Sequence, residues 1–233
     1  MLNVKQYRYS YDNLGYLVYG SREALVIDGG AYEEILGFIK DKKLNLLFIT
    51  NTHDHHDHTI GNKYFTGNPQ SRILKYTELI REGEIALDGQ KIKIHDTPGH
   101  TDDSVCFYVG NILISGDTLF NGTIGNCFTG DLEGFYRTVR MLMRFPPETI
   151  IYAGHDYVKD AMQFAKNLEP ENKEIDIFLS KYDTRYVFST MQDEFRVNPF
   201  LRFNDEKIIA ILKKKGLPTE TEWDRWQSLM SIE

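Results

Sequence analysis

Four of the seven histidines in the 233-residue sequence lie within six positions, in the segment 53–58. His53 and His55 are two residues apart, so both can approach one metal ion if the chain between them is extended. Asp57 and His58 can turn toward a second ion. Imidazole nitrogen and carboxylate oxygen are ligands for zinc, and also for iron or manganese, and no thiolate is required. The segment therefore predicts a metal centre.

Three more candidate ligands occur singly, and each follows a predicted strand. They are His100 after Lys91 to Asp96, Asp117 after Ile112 to Ser115, and His155 after Thr149 to Tyr152. Loops that follow rigid strands commonly carry functional side chains, so one rim of a sheet could gather all three. The histidine cluster alone would equally fit a solvated polar loop, but this repeated placement favours a metal site.

The sequence before residue 156 alternates between short β-type runs and helical patterns. Gly110 and Asn111 separate the runs Val105 to Val109 and Ile112 to Ser115 and predict a tight hairpin, because both residue types tolerate positive φ. Helices are predicted at Tyr32 to Lys40 and Leu132 to Met143. Further strands are predicted at Tyr16 to Tyr19, Glu23 to Ile27 and Leu46 to Thr50. Interleaved strands and helices indicate an α/β or α+β layered domain.

The pattern after His155 is helical, and no further strand is predicted there. The four predicted helices are Asp156 to Leu168, Glu171 to Tyr182, Asp205 to Lys215 and Glu220 to Met230. We predict a metal-binding domain of residues 1–158 and a helical substrate-binding appendage of residues 159–233. A unit as small as the appendage should lean on the first domain for part of its core.

Composition narrows the classes of function. The formal net charge of −7 counts against nonspecific nucleic-acid binding, which needs a basic surface. No apolar run approaches the roughly 20 residues that span a bilayer, and no apolar signal segment follows Met1. Cys106 and Cys127 do not form a C-x-x-C pair. We therefore expect a cytoplasmic monomer with neither nucleic-acid nor membrane partners.

The motif His53-x-His55-x-Asp57-His58, followed by three single ligands, resembles the metallo-β-lactamase superfamily, whose fold is a four-layered αββα sandwich. The resemblance implies two divalent ions, with zinc as the first choice and iron or manganese as alternatives. It implies that Asp57 and Asp117 take part in catalysis, through a hydroxide that bridges the ions. It also assigns the ligands: His53, His55 and His100 to one ion, Asp57, His58 and His155 to the other, and Asp117 to both.

The segment Ser189-Thr190-x-x-x-Glu194-x-x-x-Asn198-Pro199-Phe200-Leu201-Arg202 resembles glyoxalase II, the hydroxyacylglutathione hydrolases. That family implies hydrolysis of S-D-lactoylglutathione or a related 2-hydroxyacyl thioester, with the appendage closing over the site. The substrate contacts that it implies are Asn126, Cys127, Phe128, Tyr157 and Arg225. The chain departs from the family at Asn126, where a lysine or arginine is usual, and at Ser228, where a lysine is common.

Two other functions fit the same motif. One is a persulfide dioxygenase, a relative on the same scaffold that uses a single iron. The other is a metal-binding scaffold without catalysis. Oxygen consumption with one iron per chain would favour the first, and stoichiometric metal binding without thioester turnover would favour the second. The helical tail and the segment 198–202 favour glyoxalase II over the dioxygenase.

Overall fold

Two mixed β-sheets form the centre of the computed structural model, which describes residues 1–67 and 71–232. The first sheet has the strand order β1-β2-β3-β4-β5. Strands β1 to β3 are antiparallel, whereas β4 runs parallel to both β3 and β5. The strands are β1 (Asn3–Tyr9), β2 (Asn13–Tyr19), β3 (Glu23–Ile27), β4 (Asn45–Thr50) and β5 (Arg72–Ile73).

The second sheet has the strand order β11-β10-β9-β8-β7-β6. The predicted hairpin at Gly110 is confirmed: β8 and β9 are antiparallel, Val109 pairs with Ile112, and Gly110 has φ 64°. Strands β9 and β10 are parallel, so their carboxyl ends meet at one edge. The strands are β6 (Glu84–Leu87), β7 (Gln90–Asp96), β8 (Val105–Val109), β9 (Ile112–Gly116), β10 (Ile150–Ala153) and β11 (Ser189–Thr190).

Three apolar clusters join the layers. The central cluster packs Tyr16 and Leu25 of the first sheet against Phe107 and Tyr152 of the second. The outer face of the first sheet packs on α1 (Tyr32–Lys42) and α3 (Asn62–Phe65), and the outer face of the second packs on α5 (Leu132–Leu142) and the appendage. Helices therefore cover both outer faces, which gives the predicted four-layered αββα sandwich.

Helix α5 shows how the sequence specifies one outer layer. Asp131 caps its first turn by accepting a hydrogen bond from Gly134 N, and Phe135, Val139 and Leu142 are buried at helical spacing. Two further short helices, α2 (His56–Thr59) and α4 (Tyr76–Glu82), lie before the second sheet in the sequence. No helix in residues 1–67 and 71–232 is long and apolar enough to cross a bilayer.

The appendage is mainly helical, and its predicted helices lie within two residues of the observed bounds. The prediction that no strand follows His155 is wrong, because Ser189 and Thr190 pair with β10 at the sheet edge. A strand of this length carries no periodic signal. The helices are α6 (Val158–Leu168), α7 (Lys173–Lys181), α8 (Met191–Val197), a 3₁₀ turn (Pro199–Leu201), α9 (Glu206–Lys214) and α10 (Glu222–Met230).

A buried carboxyl group in α8 makes stability depend on pH. Burial raises the pKa of Glu194 from its ordinary 4.5 to about 7. Because the folded-state pKa lies above the unfolded value, the stability that this group contributes is full below pH 4.5 and is lost as pH rises through 7. We expect the free energy of unfolding of the wild type to fall relative to Glu194→Gln by roughly 3 kcal/mol across this interval.

Urea unfolding of both proteins at several pH values from 4.5 to 8 measures this difference. The neutral amide does not titrate, so the pH dependence of all other groups cancels when the two curves are subtracted. Parallel curves over the whole interval would show that the folded-state pKa of Glu194 is not raised.

Candidate metal centre

The first predicted ligand group lies in the loop after β4 and in the loop after β7. His53 Nε2 lies 2.8 Å from His55 Nδ1, which in turn lies 3.2 Å from His100 Nε2. Asp117 Oδ2 approaches His100 Nε2 at 3.6 Å and His53 Nε2 at 4.0 Å. These four side chains therefore present their ligand atoms to one point.

The second ligand group lies beside the first. His58 Nε2 and His155 Nε2 are 3.2 Å apart. Asp57 Oδ2 lies 3.2 Å from His155 Nε2 and 3.7 Å from His58 Nε2. Asp117 Oδ1 is 3.3 Å from His58 Nε2, and Asp117 Oδ2 is 3.4 Å from His155 Nε2 and 3.6 Å from His100 Nε2, so the Asp117 carboxylate lies between the two groups. The backbone of Gly154 passes so close to Asp117 Oδ1 that a Cβ at residue 154 would collide with it.

Three of the histidines are oriented by hydrogen bonds from Nδ1, the ring nitrogen that faces away from the centre. The Nδ1–H groups of His58, His100 and His155 donate to carboxylate or carbonyl oxygens at 3.0–3.1 Å. Each bond leaves the Nε2 lone pair directed at the centre, as is usual for metal-bound histidine. The respective acceptors are Asp28 Oδ2, Asn126 O and Asp12 Oδ1.

The arrangement fits divalent cations on chemical grounds. Because Asp28 accepts the Nδ1 proton of His58, the His58 Nε2 atom faces Asp117 Oδ1, 3.3 Å away. Asp117 Oδ1 is buried and accepts no hydrogen bond from any residue that the structure describes. A positive charge beside these two atoms, either a proton on His58 Nε2 or a metal ion, compensates the negative charge of the buried Asp117 carboxylate. Nitrogen and oxygen donors without thiolate suit zinc, iron or manganese.

Burial also prepares the first group to bind a cation. Burial lowers the pKa of His53 to about 4, and it lowers the pKa of His100 as well. Both rings are therefore neutral at pH 7 and keep a lone pair for a metal ion. Burial opposes charge on His58 too, but Asp28 and Asp117 outweigh it and raise the pKa of His58.

Comparison with known proteins shows the family. The sequence profile of the metallo-beta-lactamase superfamily matches residues 13–84 and 67–155, and that of the hydroxyacylglutathione hydrolase C-terminus matches residues 156–230. A hydroxyacylglutathione hydrolase from a Polaromonas species is 31% identical over 238 residues, covering 91% of this chain and 90% of the relative. The chain belongs to the hydroxyacylglutathione hydrolase family.

One further comparison supports the family, and another supports the fold. A hydroxyacylglutathione hydrolase of Chromohalobacter salexigens is 30% identical over 214 residues and covers 84% of each chain. The crystal structure of ETHE1 from Myxococcus xanthus has a TM-score of 0.62 and covers 99% of both chains at 22% identity, a likeness that shows the fold alone. The protein is thus a metal-dependent hydrolase with the metallo-β-lactamase fold.

Sequence reasoning missed the residues of this hydrolase that hold the ligands in place. Asp28 accepts hydrogen bonds from His58 and from the backbone and hydroxyl of Thr52. Asp12 accepts from His155, and Asn13 Nδ2 donates to Asp57 Oδ2 at 2.9 Å. Asp28 could have been found, since it directly follows β3 as other ligands follow their strands. Asp12 lies in the β1–β2 turn and Asn13 is the first residue of β2, and neither β1 nor this start of β2 is predicted from the sequence.

Four of the predicted substrate contacts lie beside the metal centre. The Phe128 ring lies 5.1 Å from the His100 ring and 5.8 Å from the His55 ring, and its side chain is exposed. Tyr157 stacks on His155 at 5.0 Å. Asn126 and Cys127 belong to the same loop as Phe128. The Asn126 side chain is exposed, and its backbone oxygen is the part that contacts His100.

Arg225 is the fifth predicted substrate contact. Among the described residues, it makes no hydrogen bond or ion pair with a candidate metal ligand. Its guanidinium donates to Asn204 Oδ1 at 2.8 Å and to Thr219 O at 3.0 Å, both within the appendage. Ser228, where the family commonly has lysine, is buried and donates to Pro218 O. These two positions therefore stabilise the start and packing of α10 in this structure.

Proposed function

We propose that the protein hydrolyses S-D-lactoylglutathione, or a related 2-hydroxyacyl thioester, to the free acid and the free thiol. The observation that carries this proposal is the pair of adjacent ligand groups, with Asp117 in the first group and within 3.4 Å of both histidines of the second, and with Phe128 and Tyr157 beside them. We further propose that residues 1–158 hold two divalent ions, zinc before iron or manganese, and that residues 159–233 help to bind the thiol.

The residues around the centre can perform the steps of thioester hydrolysis. Bound divalent ions would polarise the substrate carbonyl and lower the pKa of water toward neutrality. Asp57 keeps its side chain 47% exposed, and Asn13 holds its Oδ2 atom by a hydrogen bond. Although burial raises the pKa of Asp57, Asn13 and the two nearby histidines lower it further, so the carboxylate is ionised and can accept a proton.

The leaving group requires little help. A thiol with an ordinary pKa near 8.5 leaves as a thiolate far more easily than an alkoxide or amine, so no proton donor is needed on the leaving side. The absence of a required proton donor agrees with the aromatic side chains, Phe128 and Tyr157, that lie where we place the thiol. We propose that Phe128 and Tyr157 form the surface on which the thiol carrier lies.

The proposed environment follows from the same features. Cys106 and Cys127 are both free thiols, which suits a reducing cytoplasm where glutathione derivatives occur. One chain supplies all seven predicted ligands, so we propose that a monomer is sufficient for activity.

A thioester panel tests the proposed function. Purified protein loaded in turn with zinc, iron and manganese is given S-D-lactoylglutathione and lactoyl thioesters of other thiols, and thiol release is followed with a chromogenic disulfide. We expect turnover that a chelator abolishes and metal restores. Loss of every thioester activity in protein that holds two metal ions per chain would refute the proposal. Oxygen uptake with a glutathione persulfide and one iron per chain would support the dioxygenase instead.

Substitution of Asn126 tests the charge of the thiol carrier. The Asn126 side chain is exposed in the loop that bears Phe128, so Asn126→Lys should fold normally. If the carrier is anionic, the new ammonium group should lower KM for S-D-lactoylglutathione about tenfold at low salt, since hydrogen bonds to charged groups contribute roughly 1.5–3 kcal/mol. Steady-state kinetics at low and high salt measure the effect.

Asn126→Gln is the matched control, because it lengthens the side chain without adding charge. An unchanged KM in Asn126→Lys at low salt would mean that no anionic group of the carrier approaches this loop. The thioesterase activity itself would still stand.

A further inference from the structure

The segment Thr118–Gly125 connects two parts of the active site, namely the shared ligand Asp117 and the loop that carries Phe128. Every residue of this segment is buried, yet it belongs to no helix or sheet. Its internal backbone bonds include Phe120 N to Thr123 O at 3.0 Å. A buried irregular segment must satisfy its polar groups elsewhere.

The appendage satisfies part of this need. Gly122 N donates to the Glu194 carboxylate, with both oxygens at 3.0 Å. Asn121 Nδ2 donates to Ser189 Oγ at 2.7 Å and to Ile151 O at 3.1 Å. Asn198 Nδ2 donates to the same carboxylate at 2.8 Å. The hydrogen bonds from α8 and β11 thus fix the middle of the segment to the appendage.

Glu194 is fully buried in α8, a position where a carboxylate is costly unless it is hydrogen-bonded. An apolar side chain would avoid that cost but would leave Gly122 N without its acceptor. Gly122 itself has φ 101°, and a Cβ there would collide with Met162 of α6. The segment therefore makes a tight turn against the appendage, with Glu194 as its polar attachment.

The same segment carries an aromatic side chain toward the site. The Phe120 ring lies 4.9 Å from the Tyr157 ring in an edge contact and 6.2 Å from the His155 ring. Tyr157 in turn stacks on His155. Phe120 is buried and supports the half-buried Tyr157 ring from behind, and these two rings form the aromatic wall, of which Tyr157 is the accessible part. The conformation of residues 118–125 sets where this wall stands relative to the candidate metal ligands.

We propose that Glu194 is a positioning residue: its carboxylate holds residues 118–125 and so places the aromatic wall that receives the thiol carrier of the substrate. The inference about the carrier rests on the proposed thioesterase function. The inference about the segment does not, because it concerns only contacts within the chain. Two measurements separate these parts.

Hydrogen–deuterium exchange tests the attachment of the segment. In Glu194→Ala we expect faster exchange of the amides of residues 118–125, while Glu194→Gln, which keeps an acceptor for Gly122 N, should remain close to the wild type. Glu171→Ala, an exposed glutamate of the appendage, is the matched control. Unchanged exchange at 118–125 in Glu194→Ala, or an equal rise throughout the appendage, would overturn the proposal. If Glu194→Ala does not fold, Ser189→Ala replaces it, since it removes the appendage acceptor of Asn121 Nδ2 and leaves only Ile151 O.

Kinetics test the consequence for binding. For S-D-lactoylglutathione, Glu194→Ala should raise KM about tenfold and change kcat by less than about twofold, with metal content unchanged. The lactoyl thioester of N-acetylcysteamine, whose carrier is too short to cover the wall, should be hydrolysed as by the wild type. Glu194→Gln should restore most of the KM. Equal losses for both thioesters, or a fall in kcat alone, would overturn the positioning role. If the wild type hydrolyses neither thioester, the proposed function fails, and the exchange experiment still decides whether Glu194 holds the segment.

Discussion

Asp117→Asn is expected to reduce kcat/KM by about a thousandfold, because removing one partner of a buried charge arrangement costs roughly 3–5 kcal/mol. The carboxylate lies within 4.0 Å of the ring nitrogens of both ligand groups, and no other described side chain joins the two groups in this way. Asparagine keeps the shape of the side chain but offers one oxygen and no charge. We therefore expect metal content to fall below two ions per chain.

Metal analysis after dialysis and steady-state kinetics on the same samples test this prediction. Asp102→Asn is the matched control, since Asp102 is exposed in the loop that carries His100 but belongs to neither ligand group. Circular dichroism should show that both variants retain the fold. Two tightly held ions and near-normal turnover in Asp117→Asn would rule out a bridging role for Asp117.

The two candidate ligand groups are predictable from the sequence because the chemistry of their residues and their positions after strands coincide. Histidine and aspartate rarely cluster as they do at 53–58. Asp117 and His155 each follow an apolar strand, and such strands are recognised by alternating apolar and polar residues or by a run of β-branched residues. The parallel pair β9 and β10 then brings the two chain segments to one edge of the sheet. The local pattern marks the candidate residues, the family resemblance implies their division between two ions, and the structure shows how the sheet edge brings them together.

The surrounding residues could not be predicted in the same way, because their roles depend on distant contacts. Asn126 was chosen for its side chain, but the structure uses its backbone oxygen to orient His100. Arg225 is a substrate contact that the family resemblance implies, and in the structure its guanidinium bonds to Asn204. Glu194 belonged to a recognised segment, yet nothing local indicated that it accepts a hydrogen bond 72 residues away. Such partners are fixed by tertiary packing rather than by periodicity.

Asp28→Asn is expected to weaken metal binding by about 10–100-fold, the usual effect of removing the hydrogen-bond partner of a ligating histidine. Asp28 is fully buried and its two oxygens accept four hydrogen bonds, from Asn51 Nδ2, Thr52 N, Thr52 Oγ1 and His58 Nδ1. Asparagine replaces one of these acceptors with an NH₂ group. The loss should fall on His58, whose proton can then move to Nε2 and block the lone pair that faces the centre.

The backbone should tolerate this substitution. Asp28 has φ 52°, a left-handed conformation that asparagine adopts more readily than most residues. The fold should therefore survive while the chemistry changes. Because His58 belongs to the second ligand group and His53, His55 and His100 to the first, we expect the variant to lose one ion preferentially and to retain the other.

Competition with a chromophoric chelator resolves the two binding events and gives the affinity of each. Asp41→Asn, an exposed substitution in α1, is the matched control and should bind both ions as the wild type does. If Asp28→Asn binds both ions with wild-type affinity, then the ring of His58 is held by packing alone. If it loses both ions equally, the two groups form one cooperative centre through Asp117, and Asp28 supports that centre as a whole.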